Sequence, residues 1–493
     1  MSTAVRRTPV WLAIVAASLP MFMATLDNLI VTNALPAMRA DLGASIEELQ
    51  WFVNAYTIAF ATFILAAAAL GDRIGRRTVF VAGIVVFTAA SALAALSTEP
   101  WMVIGARAIQ GLGAAGVMPL SLTLIAGAVP DRLRAAAIGI WGGVAGLGVA
   151  LGPLVGGAVI EGWNWQAIFW LNIPIGIIAI PLALIALPNT LGARVRMDLP
   201  GVALAGLGVL GLVYGIVRGN DAGWDSLEVV GSLVAGGALI AAFLVWELRA
   251  KAPLLPLRLF RSRSFTSANV VGFTFSFGMF GAVFILTQFL QIVQGASALE
   301  AGVQTMPWTL APMFVAPVAG ALAGRIGTRP LILTGLAMQA IALGWIAVLL
   351  DPAVEYAVLV APFLLAGVGM ALVFAPMSTA VLQDMPADDQ AKASGTNSTL
   401  RELGVALGIA VLTAVFTGAG GELTPTGYVD AAVPAVLTGA GALVAGFIAA
   451  LFLPRLAKGG ATGGTHGADA ATDAAGGRDA AGDREAEPVT AGA

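Results

Sequence analysis

Leu70-Gly-Asp-Arg-Ile-Gly-Arg-Arg77 and Leu322-Ala-Gly-Arg-Ile-Gly-Thr-Arg329 agree at five of eight positions: Leu, Arg, Ile, Gly and the final Arg. Each octapeptide follows an apolar run long enough to cross a bilayer and precedes another. Each also holds the same place in a block of six such runs. The alternative is a chance likeness between two basic loops, but matching positions within the blocks are hard to reach by accident, so the pair reads as a duplicated six-span unit. Internal repeats of this kind mark secondary transporters, whose substrate site lies between the halves near mid-membrane.

Composition points the same way. The chain has 493 residues, of which 58% are hydrophobic and 11% charged, whereas soluble domains carry about 25% charged residues. So few charges cannot cover a soluble surface of this size, which excludes a soluble enzyme and places most of the chain in lipid. Net charge is −3 and pI about 5.3, and without a basic patch to neutralise phosphates no nucleic-acid partner is expected. The absence of cysteine excludes disulfides, thiolate metal sites and thiol nucleophiles. The one histidine, His466, lies in a Gly/Ala/Asp tail, so a histidine metal centre or general base within the membrane is excluded as well. No metal and no cofactor is expected, and a membrane-embedded enzyme is disfavoured.

Fourteen runs reach the roughly 20 apolar residues that a helical span needs: 11–35, 49–70, 79–97, 101–128, 135–160, 165–187, 199–217, 227–247, 267–292, 302–324, 330–350, 354–383, 399–418 and 431–453. The first carries Asp27 and Asn33 and no small-residue cleavage site, so it reads as a span and not as a signal peptide. Even parity puts both termini on one side. That side collects twenty basic residues, from Arg6 and Arg7 through Arg194, Arg196 and Arg401 to Arg455 and Lys458. The other side has two, Arg39 and Arg218. By the positive-inside rule both ends are cytoplasmic and the bilayer is the cytoplasmic membrane. The expected organisation is a six-helix half over 1–190, two inserted helices and a linker over 191–262, a second six-helix half over 263–453, and a tail over 454–493 too poor in apolar residues to fold.

Polar groups inside the spans are the candidate functional residues. Asp27 reads as the only acid deep in a span and Arg107 as the only base, at similar depths. Burial disfavours the charged form of a carboxyl, and a carboxyl that changes charge as access alternates is what a proton-coupled carrier needs. The alternative is a neutral Asp27 bonded to its own helix. An unpaired guanidinium at this depth is costly, so Arg107 needs a partner, either Asp27 directly or through Gln110. A static bridge and a snorkelling arginine are the bland alternatives. In Gly148-Val-Ala-Leu-Gly-Pro-Leu-Val-Gly-Gly157 the glycines at four-residue spacing allow close helix approach, and Pro153 permits a bend. Packing alone would also explain them. Asp72, Arg73, Gly75, Arg76 and Arg77 form a charged turn that can lock helices, set topology, or both. Asn33, Asn54, Tyr56, Asn269, Gln288 and Gln291 are intramembrane polar groups expected to face the bundle interior. Phe273, Phe277, Met370, Phe374 and Met377 offer an adaptable apolar lining, or plain core and lipid contact.

These residues, taken in order, resemble the fourteen-span drug:proton antiporters of the major facilitator superfamily over 1–453. The similarity rests on Leu26-Asp27 through Asn33-Ala34-Leu35-Pro36, on Leu70, Asp72, Arg73, Gly75, Arg76 and Arg77, on Arg107, Gln110, Gly111 and Gly113, and on Gly148, Gly152, Pro153, Gly156 and Gly157. Trp51 through Tyr56 is similar to the family's second span. The resemblance implies an all-α membrane protein with the major-facilitator fold and export of amphipathic small molecules in exchange for protons. It implies proton coupling at Asp27 and Arg107, gating at the Asp72 turn and antiport at the Gly148–Gly157 motif, in a carrier working as a monomer. There are departures: Ala68 stands where the loop motif begins with Gly, and Gly324 stands where the first copy has Asp72. No second embedded carboxylate is expected, which argues against broad export of dications. A dedicated exporter of one endogenous metabolite, antibiotic or lipid shares the mechanism and differs only in the cavity. An importer is disfavoured by the Gly148–Gly157 motif.

Overall fold

The computed structural model describes residues 9–192, 198–251, 253–383 and 385–454. Arg6, Arg7, Arg194, Arg196, Arg455, Lys458, His466 and the tail expected to be unfolded lie outside the described residues. Among the described residues every regular element is helical. The first set is α1 (Val10–Leu42), α2 (Ile46–Ile74), α3 (Arg76–Ala95), α4 (Pro100–Ala128), α5 (Asp131–Gly162), α6 (Ala167–Trp170) and α7 (Asn172–Ala186). Next come α8 (Leu199–Ala222) and α9 (Leu227–Glu247). The second set is α10 (Arg263–Gln288), extended by a π-helical turn at Phe289–Val293, then α11 (Ala298–Gln304), α12 (Met306–Ile326), α13 (Thr328–Leu349), α14 (Tyr356–Leu382), α15 (Ala387–Gly418) and α16 (Pro425–Ala450).

Thirteen of these helices are long and apolar enough to cross a membrane, or fourteen when the bent pair Ile140–Gly148 and Leu151–Gly162 counts as one span. Pro153, lacking an N–H and crowding the preceding turn, explains the 42° bend in that pair. Short polar connections with side-chain caps end the spans. Ser45 and Ser297 each form a reciprocal capping box, with Glu48 and Glu300, at the starts of α2 and α11.

The duplication is visible in three dimensions. The helix pairs α2–α4 and α3–α4 of the first set recur as α12–α14 and α13–α14 in the second. Gly75 breaks α2 from α3 with φ 118°, and Gly327 breaks α12 from α13 with φ 87°. Each donates its N–H to the carbonyl four residues back, Gly71 and Ala323. Eight residues further on, a Cβ on Gly83 would lie 2.7 Å from the Gly113 carbonyl, and one on Gly335 would lie 2.6 Å from the Gly369 carbonyl. The repeat is therefore a repeat of close backbone crossings as well as of loop charges. Between the sets, α2 packs on α15, α5 on α11 and α12, and α1 touches α10. The inserted pair α8–α9 rests against α2 and α15, pinned by Arg218 to Glu47 at 3.0 Å and by Trp51 against Tyr214.

One boundary differs from the sequence reading. The helix expected at 399–418 begins at Ala387, because the polar run after Pro386 has no further proline and continues the helical ladder through Gly395. Its membrane-crossing part starts at Lys392. Arg401 and Glu402 consequently sit inside the span, and the count of Arg401 among the loop cations is corrected.

Candidate functional site

Five helices of the first set meet around Asp27. It is buried on α1, and one carboxylate oxygen, Oδ2, accepts from Arg107 Nη1 of α4 at 2.5 Å. The other, Oδ1, accepts from Asn172 Nδ2 of α7 at 2.8 Å and from Gln110 Nε2 at 3.2 Å. Gln110 and Asn172 both donate to Ser91 Oγ on α3. Arg107 also donates through Nε to the Phe52 carbonyl at 3.0 Å and through Nη1 to Gln110 Oε1 at 2.8 Å, while its Nη2 has no partner. The guanidinium carbon lies 4.4 Å from the centroid of the Tyr56 ring. The side chains of Arg107 and Asp27 are 0% and 1% exposed, so this carboxylate and its cation are sealed from water in this conformer. The expected partnership of Asp27, Arg107 and Gln110 is thus observed. Asn172 and Ser91, which complete it, were not singled out in the sequence, where an Asn and a Ser on separate spans carry no distinguishing spacing.

Small residues bring α5 against α1. Gly148 leaves room for Thr25, Gly152 for Leu29 and Gly156 for Ile30. Gly157 faces the opposite set, where the Ala298 carbonyl and Leu299 occupy the space its side chain would fill, and Gly302 meets the Pro153 carbonyl in the same way. Asn33 joins this seam, donating to the Pro153 and Ala298 carbonyls at 3.0 and 2.9 Å, and Gln291 donates back to Asn33 Oδ1 at 2.9 Å. These contacts close the arginine-poor end of the two helix sets.

Beneath the seam is an apolar cavity of about 50 Å³, walled by Met279, Phe280, Trp308, Phe363 and Met370, with Asn33 at its rim. A drug-sized ligand needs roughly 300–1,000 Å³, so the cavity must widen to hold one. Of the expected lining residues, Asn33 and Met370 reach it. The others lie elsewhere. Gln110 and Tyr56 belong to the Asp27 cluster. Asn54 is buried with both amide atoms unpartnered. Asn269 bonds the Phe265 carbonyl and accepts from Asn397, and Gln288 bonds the Phe284 carbonyl. The Phe273 and Phe277 carbonyls lie in the space that side chains at Gly404 and Gly408 of α15 would fill, and Met377 packs against Gly272.

The Asp72 turn is fastened within its own set. Asp72 pairs with Arg76 at 2.7 Å, its carbonyl accepts from the Gly192 N–H, and Arg77 donates to the Leu184 and Leu187 carbonyls. The second copy of the turn has Gly324 in place of that acid.

The structure corrects the expectation that Asp27 and Arg107 are the only embedded charges. On α15, Leu403, Ala406, Leu407 and Ala410 pack with α2 and α8, and Gly404 and Gly408 abut α10. Arg401 turns to α14 and lies 4.2 Å from the centroid of the Phe374 ring, its Nε without a partner. Glu402, half-buried, falls on the remaining face. It feels the charge of Arg401, and the Tyr56 hydroxyl feels the charges of Asp27, Arg107 and Glu402 together. A second carboxylate thus lies within a membrane-crossing helix, on the second helix set. Among the described residues no group of three metal-ligating side chains occurs.

Residues 17–409 match the family model described as Major Facilitator Superfamily. The chain belongs to this superfamily. It is 36% identical over 406 residues to the multidrug resistance protein Stp of Mycobacterium tuberculosis, covering 82% of this chain and 75% of that one. It is 32% identical over 428 residues to the tetracenomycin C resistance and export protein of Streptomyces glaucescens, covering 86% and 79%. The crystal structure of the peptide transporter POT in complex with sulfate shares the fold, with TM-score 0.63 at 18% identity, covering 90% of this chain and 95% of that one. The protein is thus a multi-pass membrane transporter of the major facilitator superfamily and not an enzyme, and its relatives are multidrug and antibiotic export proteins.

Proposed function

We propose that this chain is a proton-driven exporter of amphipathic small molecules, working as a monomer in the cytoplasmic membrane with both termini inside. The observation that carries this reading is the sealed Asp27–Arg107 pair, held among five helices and fully satisfied on the carboxylate side. Protonation of Asp27 removes the charge that holds Arg107. The guanidinium, with Nη2 already unpartnered, then loses its strongest acceptor and the helices it ties can shift. A ligand moves such an equilibrium only through unequal affinity for its two states, and a proton on Asp27 has that property. Each inward proton contributes about 2.3 kcal/mol per 100 mV of membrane potential.

In this scheme the seam of Asn33, Pro153, Gly157, Ala298 and Gln291 is the outer gate, closed here, and the Asp72 turn supports the inner one. Glu402 answers the objection to dicationic cargo, because it supplies a carboxylate on the half that lacks Asp27. A dedicated exporter of one metabolite would use the same machinery with a narrower cavity.

The test is substrate-induced proton release from energised inside-out vesicles, with wild type beside Asp27→Asn. Release by the wild type and none by the variant is expected. Equal release by both would remove Asp27 from the coupling mechanism.

A further inference from the structure

The internal repeat sets the proton machinery beside its own second copy, and the copy has different chemistry. Tyr56 lies nineteen residues before Gly75, and Trp308 lies nineteen before Gly327. The missing side chain of Gly111 on α4 makes room for the Tyr56 carbonyl, and that of Gly367 on α14 makes room for the Trp308 carbonyl. Arg107 stands four residues before Gly111, and Phe363 four before Gly367. Two independent registers, one along the chain and one in space, therefore equate Tyr56 with Trp308 and Arg107 with Phe363. Where the first half sets a guanidinium over a tyrosine ring, the second sets Phe363 beside Trp308, ring centroids 5.9 Å apart and tilted by 44°.

This uncharged copy walls the apolar cavity, whereas the charged original is walled in by its own helices. Trp308 is 4% exposed, and its indole Nε1–H is buried without an acceptor. Leaving such a donor unpaired costs about 1–3 kcal/mol, and buried indole N–H groups ordinarily find a partner. The same cavity is lined by Met279, Phe280, Phe363 and Met370, side chains that adapt around flat rings, and also by Asn33 and the threonines Thr32, Thr287, Thr305 and Thr309.

We propose that the Trp308–Phe363 pair is the substrate-recognition element of the transporter. It takes flat aromatic compounds that bear a carbonyl or similar oxygen, the rings lying against Trp308 and Phe363 and the oxygen accepting from Trp308 Nε1. The duplication has divided the labour: one copy of the α2–α4 crossing handles the proton and the other holds the cargo. This assignment rests on the exporter reading for its biological meaning but not for its test.

The experiment is equilibrium binding to the purified full-length protein in lipid nanodiscs, with two planar probes. One is 1,8-dihydroxyanthraquinone, which carries carbonyl oxygens, and the other is ethidium, which has no oxygen acceptor. Trp308→Phe keeps a ring and removes the donor. It is expected to weaken anthraquinone binding about tenfold, the worth of one buried hydrogen bond, and to change ethidium binding less than about twofold. Phe363→Leu weakens both probes. Ethidium-induced proton release is expected to persist in Trp308→Phe and to be lost in Asp27→Asn, so failure of recognition and failure of coupling separate. Wild type that does not bind the anthraquinone, or Trp308→Phe that binds it as tightly as wild type, would overturn the assignment. The second result would mean that a water molecule satisfies the indole.

Discussion

Charge in the membrane interior is costly enough that each embedded ionisable residue needs its own account. Removing one member of a buried pair such as Asp27–Arg107 costs roughly 3–5 kcal/mol, because the other is left uncompensated; the cluster is therefore a switch that cannot be left half-made. Glu402 differs. It is half-buried on α15, next in sequence to an arginine that is itself occupied with Phe374. A carboxylate in that position is open to a cationic cargo. Charge-assisted hydrogen bonds contribute about 1.5–3 kcal/mol, so Glu402→Gln should raise the apparent KM for ethidium export by roughly ten- to hundredfold while leaving export of a neutral substrate within about twofold. Transport assays with the two substrates side by side decide this, and an equal loss for both would place Glu402 in folding or coupling instead of recognition.

At the scale of the element, the two repeat turns offer a matched comparison. Gly75 and Gly327 both sit at positive φ, 118° and 87°, where a Cβ is strained by roughly 1–2 kcal/mol. Gly75 carries a further load, since its Cβ would fall 2.5 Å from the Asn189 amide oxygen. Gly327→Ala should therefore lower thermal stability modestly, and Gly75→Ala more, with an added loosening of the segment that follows α7. Thermal unfolding in detergent measures the order, and the reverse order would show that the turns are not held as described. Much at this scale was legible in the chain itself. Apolar runs fixed the span count, since only helices cross lipid without orphaned backbone groups, and the Leu70 and Leu322 octapeptides exposed the repeat. The start of α15 was not legible. Residues 387–398 are polar and score as loop, yet a helix can project polar residues towards a buried interior, as Asn397 does towards Asn269. That misreading hid Glu402. Similarly, Trp308 reads as one aromatic among many until Gly367 fixes its register.

For the whole molecule the decisive feature is that two helix sets touch through very little side-chain volume at the arginine-poor end. Gly157 lies directly against the Ala298 carbonyl and Gly302 against that of Pro153, so the closed state depends on the absence of side chains, with Asn33, Gln291 and the Ser297–Glu161 hydrogen bond as polar clasps. Packed interfaces of this kind are bistable and do not deform gradually. A branched side chain at Gly157 would collide with backbone, which cannot rotate away, and so would penalise the closed state alone. Gly157→Val should then shift the population towards an opened arginine-poor end. Moving a two-state equilibrium from 1:99 to 99:1 requires about 5.5 kcal/mol, a range that a clash with rigid backbone can supply. The chain contains no cysteine, so nitroxide labels at Ala40 and Leu423, which face one groove across the two sets, would report only the intended distance. Double electron–electron resonance should show that distance lengthened and narrowed to one population in Gly157→Val, with export abolished and anthraquinone binding retained. An unchanged distance distribution would mean that the seam is not the gate, and alternating access would have to be sought at the interface of α2 with α15.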